Sequence, residues 1–324
     1  MEPSTGRAAA AHHTEHRIEV AAPVDTVYGL VADVTGWPRV FGPTIHAEQL
    51  ELDGRTERIR LWATANGAVK TWVSRRELDP DARRIAFRQE VSQSPVASMG
   101  GEWILEPLPD GRTSVLLTHD YTAVDDVPDA EQWIAQAVDR NSNAELAALR
   151  GAAEAAAGAA DLDGLELTFA DTVEIDGPAD AVRDFLYQAQ EWEKRLPHVS
   201  RVVLREDTPG LQHLEMDTVA KDGSTHTTAS VRVLLADGRL VYKQLVLPPL
   251  LSLHLGCWTL TTTPDGTVAA TSEHTIRINP ERLALLGEGT TVADAKAYVR
   301  TALGTNSTAT LMHAKAYAEG TARD

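Results

Sequence analysis

The chain has 324 residues, with 30 lysines and arginines against 47 aspartates and glutamates, which gives a formal net charge of -17. This length suits two domains of ordinary size, and so acidic a balance argues against nucleic acid as a partner. The single cysteine, Cys257, excludes a disulfide within one chain and suits the reducing cytoplasm. The sequence starts without a signal peptide, and its longest apolar run, residues 245–258, is too short to span a bilayer. We therefore expect a cytoplasmic protein without a membrane partner.

The N-terminal residues 1–16 are polar and are predicted to form a flexible tail. The histidines in it have no cysteine or further histidine at ligand spacing, so no metal site is predicted there. From Arg17 onward apolar and polar residues alternate as in a strand, and Pro23 is placed to open a helix. The first domain is therefore predicted at residues 17–157.

The second half of the chain repeats the first at an offset of 155 residues. The pairs at this offset include Pro23 with Pro178, Trp103 with Trp258 and His119 with His274. Chance does not align so many uncommon residues, so the chain is interpreted as two copies of one domain. An alanine-rich stretch joins the copies, which places the linker at residues 158–164 and the second domain at residues 165–324.

Turn signals such as Asp110-Gly111 divide each copy into alternating segments, which predicts a meander of antiparallel strands. A long helix closes each copy, at residues 128–157 and 290–319. The predicted fold class is α+β, with a curved antiparallel sheet wrapped around a long C-terminal helix in each domain. Both apolar helix stripes have polar centres, Asn141-Ser142 and Asn306-Ser307, which indicates an interior cavity or, alternatively, a hydrogen-bonded core pair.

The segment of residues 72–76 is the most informative strand. Alternation places Trp72, Ser74 and Arg76 on one face. If that face is interior, an indole, a hydroxyl and a guanidinium enter it together; the alternative is an exposed basic edge strand with a lone tryptophan. The second copy repeats the pair as Ser230 and Arg232, provided that one residue was lost from the following hairpin.

Pro23, the turn from Gly36 to Phe41, the strand of residues 72–76 and the Asn-Ser helix together resemble the aromatase/cyclases of bacterial type II polyketide synthases. Two copies in one chain resemble the di-domain subclass, and the resemblance spans residues 17–319. It implies a helix-grip, or START-like, fold. It also implies an enzyme that binds a carrier-tethered poly-β-ketone in an interior pocket, closes its first ring between carbons seven and twelve by aldol chemistry, and dehydrates that ring to an aromatic one. No redox cofactor or metal is expected, since the chain has no dinucleotide fingerprint or P-loop.

The resemblance also assigns residues to the site. Ser74 and Arg76 are the implied catalytic pair, with Ser230 and Arg232 as their counterparts. His119 could supply a proton, and the alternative is a structural strand histidine. The implied substrate-binding residues are side chains expected to face the two interiors: Trp37, Phe41, Trp72, Met99, Trp103, Asn141, Trp192, Trp258 and Asn306.

The partners that the resemblance implies are an acyl carrier protein, a ketosynthase and a ketoreductase. Basic residues concentrate in one part of the first copy, and we interpret them as a docking patch for the carrier protein, with a solvated mixed surface as the alternative. This patch comprises Arg55, Arg58, Arg60, Lys70, Arg75, Arg83, Arg84 and Arg88. Two other functions stay open: a passive carrier of a hydrophobic ligand, and a non-catalytic scaffold that steers folding within a synthase.

Overall fold

The computed structural model describes residues 11–125, 127–159, 162–219, 223 and 225–320. The chain divides into two compact units, residues 1–161 and 162–324, and the division falls inside the predicted linker. Each unit has one antiparallel sheet of seven strands and one long C-terminal helix. The predicted α+β class, with two tandem helix-grip domains, is confirmed.

The first unit is a meander whose first strand returns to pair with its last. The sheet order is β1-β7-β6-β5-β4-β3-β2, and the long helix α3 packs against it. The elements are β1 (His12–Val20), α1 (Val24–Ala32), α2 (Trp37–Val40), β2 (Thr44–Asp53), β3 (Thr56–Ala65), β4 (Ala68–Asp79), β5 (Arg84–Val91), β6 (Val96–Pro107), β7 (Thr113–Ala123) and α3 (Ala130–Glu154).

The predicted tail was too long at its C-terminal end. Strand β1 begins at His12, and residues 12–16 pair with β7 although both faces of this segment are polar. His12 stacks on Tyr121 with ring centroids 5.3 Å apart, and His16 lies 3.1 Å from Asp139 of α3. These contacts are distant in the sequence, which is why local polarity alone suggested a tail. Residues 1–10 lie outside the described part of the chain.

The second unit repeats this plan, with the sheet order β8-β14-β13-β12-β11-β10-β9. A 3₁₀ helix at Pro280–Leu286 occupies the additional segment before its last helix. The elements are α4 (Leu162–Leu165), β8 (Glu166–Ile175), α5 (Ala179–Tyr187), α6 (Trp192–Arg195), β9 (Val199–Thr208), β10 (Leu211–Val219), β11 (Thr225–Leu234), β12 (Leu240–Val246), β13 (Leu251–Thr262), β14 (Val268–Ile278) and α7 (Val292–Ala318).

Strand register confirms the predicted alignment of the two copies. Arg76 of β4 lies opposite Phe87 of β5, and Arg232 of β11 lies opposite Tyr242 of β12. The partners on β5 and β12 keep the offset of 155, whereas the arginines are 156 apart, so the β11–β12 connection is one residue shorter. Ser74 and Ser230 therefore occupy equivalent positions.

The long helices are held by the apolar stripes that the sequence predicts. In α3 the buried residues include Ile134, Val138, Ser142 and Leu146, at helical spacing. Helix α7 begins with a capping box, in which the Thr291 hydroxyl and the Asp294 carboxylate each bond the other residue's backbone N–H. Among the described helices, none combines the length and the apolar character needed for a bilayer span.

Candidate active site

The interior of the first domain contains a cavity of about 120 Å³ between the sheet and helix α3. Its walls are mainly apolar, with Trp37 of α2, Trp72 of β4, Met99 of β6 and Val138 of α3 among the lining side chains. An apolar cavity of about 150 Å³ in another protein holds benzene. The cavity is therefore of a size to hold about one six-membered ring.

The structure brings five of the predicted site residues of the first domain together around this cavity. They are Trp37, Trp72, Met99, His119 and Asn141. The Asn141 amide donates a hydrogen bond to the Thr64 carbonyl over 2.9 Å, which fixes its orientation against β3. Both of the alternatives considered for the polar helix centre hold here, because the amide lines a cavity and is also hydrogen-bonded.

Two of the predicted wall residues lie in the apolar core. Phe41 and Trp103 are almost fully buried, and their rings stack with centroids 6.3 Å apart. Trp37 meets Phe41 edge-on at 5.2 Å. These two core rings support the cavity-lining indole of Trp37 from behind.

Arg76 faces inward, as predicted, but its contacts are with the protein's own backbone. Its side chain is 1% exposed, and Nη2 donates to the carbonyls of Val31 and Ala32 at the end of α1, over 2.8 and 3.3 Å. The guanidinium stacks over Trp37 at 5.0 Å, and Nε lies 3.2 Å from the buried Glu57 carboxylate without hydrogen-bond alignment. Burial lowers the pKa of Arg76 to about 10, so the group is cationic at neutral pH. These contacts join the sheet to α1 and hold one wall of the cavity.

Arg232 makes the equivalent contacts between sheet and helix in the second domain, which we call the arginine joint in both domains. It donates to the Leu186 carbonyl at the end of α5 and stacks over Trp192 at 5.0 Å. Gln212 stands where the first domain has Glu57 and bonds the Tyr187 carbonyl over 3.2 Å. Two arginines in equivalent positions with equivalent helix contacts indicate a structural element of the fold.

The two serines lie next to the arginines on the inner faces. Ser74 is buried between Ile59 of β3 and Gln89 of β5, and Gln89 lines the cavity. Ser230 is half-buried opposite Leu214 and Gln244.

The predicted wall residues Trp192 and Trp258 of the second domain both face the interior, where they belong to the apolar core. The prediction that Asn306 faces the interior is wrong, since its side chain is exposed. The adjacent Ser307 takes the inward position, and one residue rotates the side chain by about 100° around a helix.

Three ionisable groups line the cavity of the first domain: Lys70, whose ammonium donates to the Ser94 carbonyl, His119 and Glu145. His119 is half-buried and its Nδ1 is enclosed, and this desolvation, reinforced by nearby His16, lowers the pKa of the imidazole to about 4, so the ring is neutral at pH 7. Its Nδ1 has no hydrogen-bond partner in the described part of the chain. Glu145 of α3 also lines the cavity, and burial raises its pKa to about 7. A neutral imidazole and a carboxylic acid that holds its proton near neutral pH therefore share one apolar chamber.

Sequence reasoning missed Glu145. It follows Asn141 by four residues, so the two side chains share a helix face. A carboxylate on the face that also carries the polar centre of the stripe was the available signal.

Comparisons with known proteins agree with this architecture. The family model described as "Polyketide cyclase / dehydrase and lipid transport" matches residues 11–154. The granaticin polyketide synthase bifunctional cyclase/dehydratase of Streptomyces violaceoruber is 47% identical over 94% of this chain and 93% of its own length. The di-domain ARO/CYC BexL from the BE-7585A biosynthetic pathway has 54% identity and a TM-score of 0.82, over 97% of this chain and all of that one. The di-domain ARO/CYC StfQ from the steffimycin biosynthetic pathway has 37% identity and a TM-score of 0.81, over 95% and 98%.

The chain belongs to the polyketide aromatase/cyclase family. Since the identity extends over both domains, the cavity of the first domain and the interior of the second are parts of one di-domain aromatase/cyclase.

The arginine patch of this aromatase/cyclase is less positive than its sequence suggests. Each of its seven arginines lies within 3.9 Å of a carboxylate. Arg83, for example, lies 3.3 Å from Asp25, and Arg84 lies 3.4 Å from Glu102. Lys70 donates to the Ser94 carbonyl and lies 5.5 Å from the Trp133 ring. The patch therefore alternates in sign, which is the mixed surface that the sequence left as an alternative.

Proposed function

We propose that the cavity of the first domain binds a poly-β-ketone tethered to an acyl carrier protein and closes its first ring between carbons seven and twelve, and that the chain then dehydrates this ring to an aromatic one. The observation that supports this proposal is the shared lining of the cavity by His119 and Glu145 within apolar walls. The granaticin relative carries both activities in its name, cyclase and dehydratase.

Aldol closure needs a base and an acid on one substrate. The base removes a proton from the carbon between two ketones, and the resulting enolate attacks a second ketone, whose oxygen gains the negative charge. Neutral His119 can accept the first proton through an unpartnered ring nitrogen. Glu145, with a pKa of about 7, can donate a proton to the new alkoxide. The closure consumes no oxidant or reductant.

The walls would select which carbons meet. A flexible poly-β-ketone has many possible closures, and a cavity that holds about one ring restricts the chain to few of them. Trp37 and Trp72 supply rigid walls, and Arg76 acts through Trp37 by fixing the indole from above. The rest of the polyketide would extend out of the cavity toward the carrier protein.

A passive hydrophobic carrier fits the cavity less well. Burying a carboxyl group costs free energy, and a carrier of apolar ligands gains nothing from one in its wall. The raised pKa of Glu145 therefore favours a role in proton transfer to the substrate over passive binding of a hydrophobic ligand.

Product analysis of a reconstituted synthase tests the proposal. We expect Glu145→Gln and His119→Leu each to slow ring closure by about 10²-fold or more and to divert the polyketide into spontaneously cyclised products. Glu106→Gln is the matched control, because Glu106 is exposed on β6. Native product at the native rate from both cavity variants, with normal folding, would refute the assignment.

We also propose that the acyl carrier protein presents the substrate and that the ketosynthase and ketoreductase of the same synthase are partners of this enzyme. The placement in the cytoplasm stays a prediction from the sequence. If charge on the arginine patch docks the carrier, reversal of Arg83 and Arg84 to glutamate should weaken carrier binding at least about tenfold at low salt. Reversal of Arg201 and Arg239 in the second domain is the control, and equal affinities for both double variants would exclude the patch.

A further inference from the structure

The inner face of the second sheet carries a polar cluster that the first sheet lacks. Strand register defines equivalent rows of residues across the two sheets. The rows are Arg76, Phe87, Gly101 and His119 in the first domain, and Arg232, Tyr242, Gly256 and His274 in the second.

Three apolar residues around His119 have polar counterparts around His274. At the offset of 155, Tyr242 stands where the first domain has Phe87, His254 where it has Met99, and Ser272 where it has Leu117. The strands, the register and the histidine are kept, so the exchange is confined to the surroundings of one imidazole.

The polar side chains are hydrogen-bonded to one another. His274 Nδ1 lies 2.9 Å from His254 Nε2 and 3.3 Å from Tyr242 Oη, and His274 Nε2 lies 3.1 Å from Ser272 Oγ. If His274 carries its proton on Nε2 and donates it to Ser272, its Nδ1 accepts from His254 or Tyr242. The Nδ1 of His254 then keeps a free lone pair, and this buried atom has no partner among the described residues.

A glycine makes the contact between Tyr242 and His274 possible. Gly256 lies between them in the row, and a Cβ there would overlap the Tyr242 ring. Two further charged groups face His274 from β8 and α7: Asp171 and Arg300 form a two-point ion pair over 2.6 and 3.0 Å. Burial lowers the pKa of His254 to about 3 and that of His274 to about 4, so both are neutral at pH 7.

Stability of the fold does not account for this cluster. The first domain builds the same sheet with Phe87, Met99 and Leu117 in these positions. Leu117 belongs to an apolar core cluster, and Phe87 and Met99 pack against such clusters. Burial of four polar groups with one lone pair unpartnered is the costlier arrangement. A chemical use of the groups explains why they are present.

We propose that Tyr242, His254, His274 and Ser272 form a second acid–base site, which eliminates water from the hydroxylated ring that the first domain produces. This inference rests on the proposed function and divides it between the domains. The substrate class is a cyclic β-hydroxy ketone, whose hydroxyl and acidic C–H groups need a donor and an acceptor on opposite sides.

The elimination balances without a co-reactant. His254 Nδ1 takes the proton from the carbon next to the ketone, and that C–H electron pair becomes the new C=C bond. The C–O bond breaks as Tyr242 gives its proton to the departing hydroxyl, which leaves as water. His254 then passes its Nε2 proton to His274 Nδ1, and His274 passes it on to the Tyr242 oxygen. The water that was eliminated then accepts the remaining Nδ1 proton of His254 and returns a proton to its Nε2, which restores the starting tautomer.

Arg232 is placed to stabilise the tyrosinate that forms during this cycle. It lies opposite Tyr242 in the register, and its Nε and Nη1 have no hydrogen-bond partner among the described residues. The two cations of the row, Arg232 and the transiently protonated histidine, thus lie on either side of the phenol.

The additional segment before α7 packs against an apolar cluster that includes a strand neighbour of His254. Ile276, which pairs with His254, belongs to an apolar cluster, and Leu283 and Leu286 of the 3₁₀ helix pack against that cluster. The segment ends at Gly287 and Gly289, both with positive φ, a conformation that glycine adopts without strain. Movement of this short helix would admit the ring to the site.

The test uses variants that install first-domain residues, Tyr242→Phe and His254→Met, in the full chain within a reconstituted synthase. We expect ring closure at the wild-type rate and a dehydration step slowed by about 10²-fold or more. A ring-closed product heavier than the aromatic one by one water should then accumulate. Tyr298→Phe is the control, since Tyr298 is exposed on α7.

The outcomes separate this inference from the proposed function. Aromatic product at the wild-type rate from both variants overturns the second site, and so does a loss of ring closure in folded variants. A change in unfolding free energy with normal dehydration assigns the cluster a structural role and also overturns it. Glu145→Gln in parallel reports on the first cavity: if it stops closure while Tyr242→Phe changes nothing, the proposed function stands and the inference falls.

Discussion

Replacement of Arg76 by alanine should strongly destabilise the first domain, because the side chain joins the sheet to α1 and neutralises a buried carboxylate. The change removes the hydrogen bonds to the Val31 and Ala32 carbonyls and the stacking on Trp37. It also leaves the Glu57 carboxylate, which is 2% exposed, without its cation. Removing one partner of a buried ion pair costs about 3–5 kcal/mol, and we expect a loss of unfolding free energy in that range.

The second domain supplies a matched control. Arg232→Ala removes the same helix contact and the same stacking on tryptophan, but Gln212 stands in place of the carboxylate. An unsatisfied backbone carbonyl costs about 1–3 kcal/mol, so this variant should lose less. The double variant Arg76→Ala, Glu57→Gln should recover the difference, because no buried charge is then left unpaired.

The unfolding free energy of each domain is measured in urea by hydrogen exchange, with peptides from α1 reporting on the first domain and peptides from α5 on the second. Product analysis of the same variants is carried out in parallel. Equal losses for the two arginine variants would refute the role given to Glu57. If Arg76→Ala kept its unfolding free energy within about 1 kcal/mol and still abolished ring closure, Arg76 would act on the substrate and the structural assignment would be wrong.

Three further predictions concern the buried groups. The pKa of Glu145 is raised to about 7, so between its ordinary value and pH 7 the folded state binds more protons than the unfolded one, and stability falls as pH rises. Glu145→Gln should therefore stabilise the first domain by up to about 3 kcal/mol at pH 8 and by little at pH 4, as measured by urea unfolding at both pH values. His254 and His274 have pKa values lowered to about 3 and about 4, so below pH 6.5 the unfolded state binds more protons than the folded one, and the second domain loses stability down to about pH 3. His254→Met should reduce that loss in acid titrations monitored by circular dichroism. Gly101→Ala should destabilise the first domain by several kcal/mol in thermal unfolding, since its Cβ would overlap the Thr118 backbone carbonyl, whereas a fully native melting temperature would show that the sheet can shift there.

The fold was predictable because its signals are periodic. Turn residues, strand alternation and the apolar stripe of α3 each repeat in the second copy. A pattern that occurs in both copies reflects the fold rather than chance. Alternation predicted that Trp72, Ser74 and Arg76 share one face, and the burial of Ser74 and Arg76 in the structure shows that this face is the interior one.

The chemistry of the site was less accessible to sequence reasoning. The resemblance implied a catalytic role for Arg76, and the sequence did not predict that its guanidinium donates to a carbonyl at the end of α1, a segment that is distant in the sequence. Glu145 and the cluster at His274 depend on which residues the sheet and the helix bring together across large sequence separations. The prediction for Asn306 failed for a local reason. A shift of one position along the helix moves a side chain from the interior to solvent, so Ser307 is buried and Asn306 is exposed.

The arginine joint also bears on redesign of the enzyme. Arg76 and Arg232 tie the sheet to α1 and α5. Arg76 lies outside the cavity lining and reaches it through Trp37, whereas its contacts do not involve the lining residues Trp72 and Met99. Substitutions at Trp72 or Met99 can reshape the chamber without releasing that joint. Such independence lets mutation explore new ring patterns, by selection or by engineering, while the domain continues to fold.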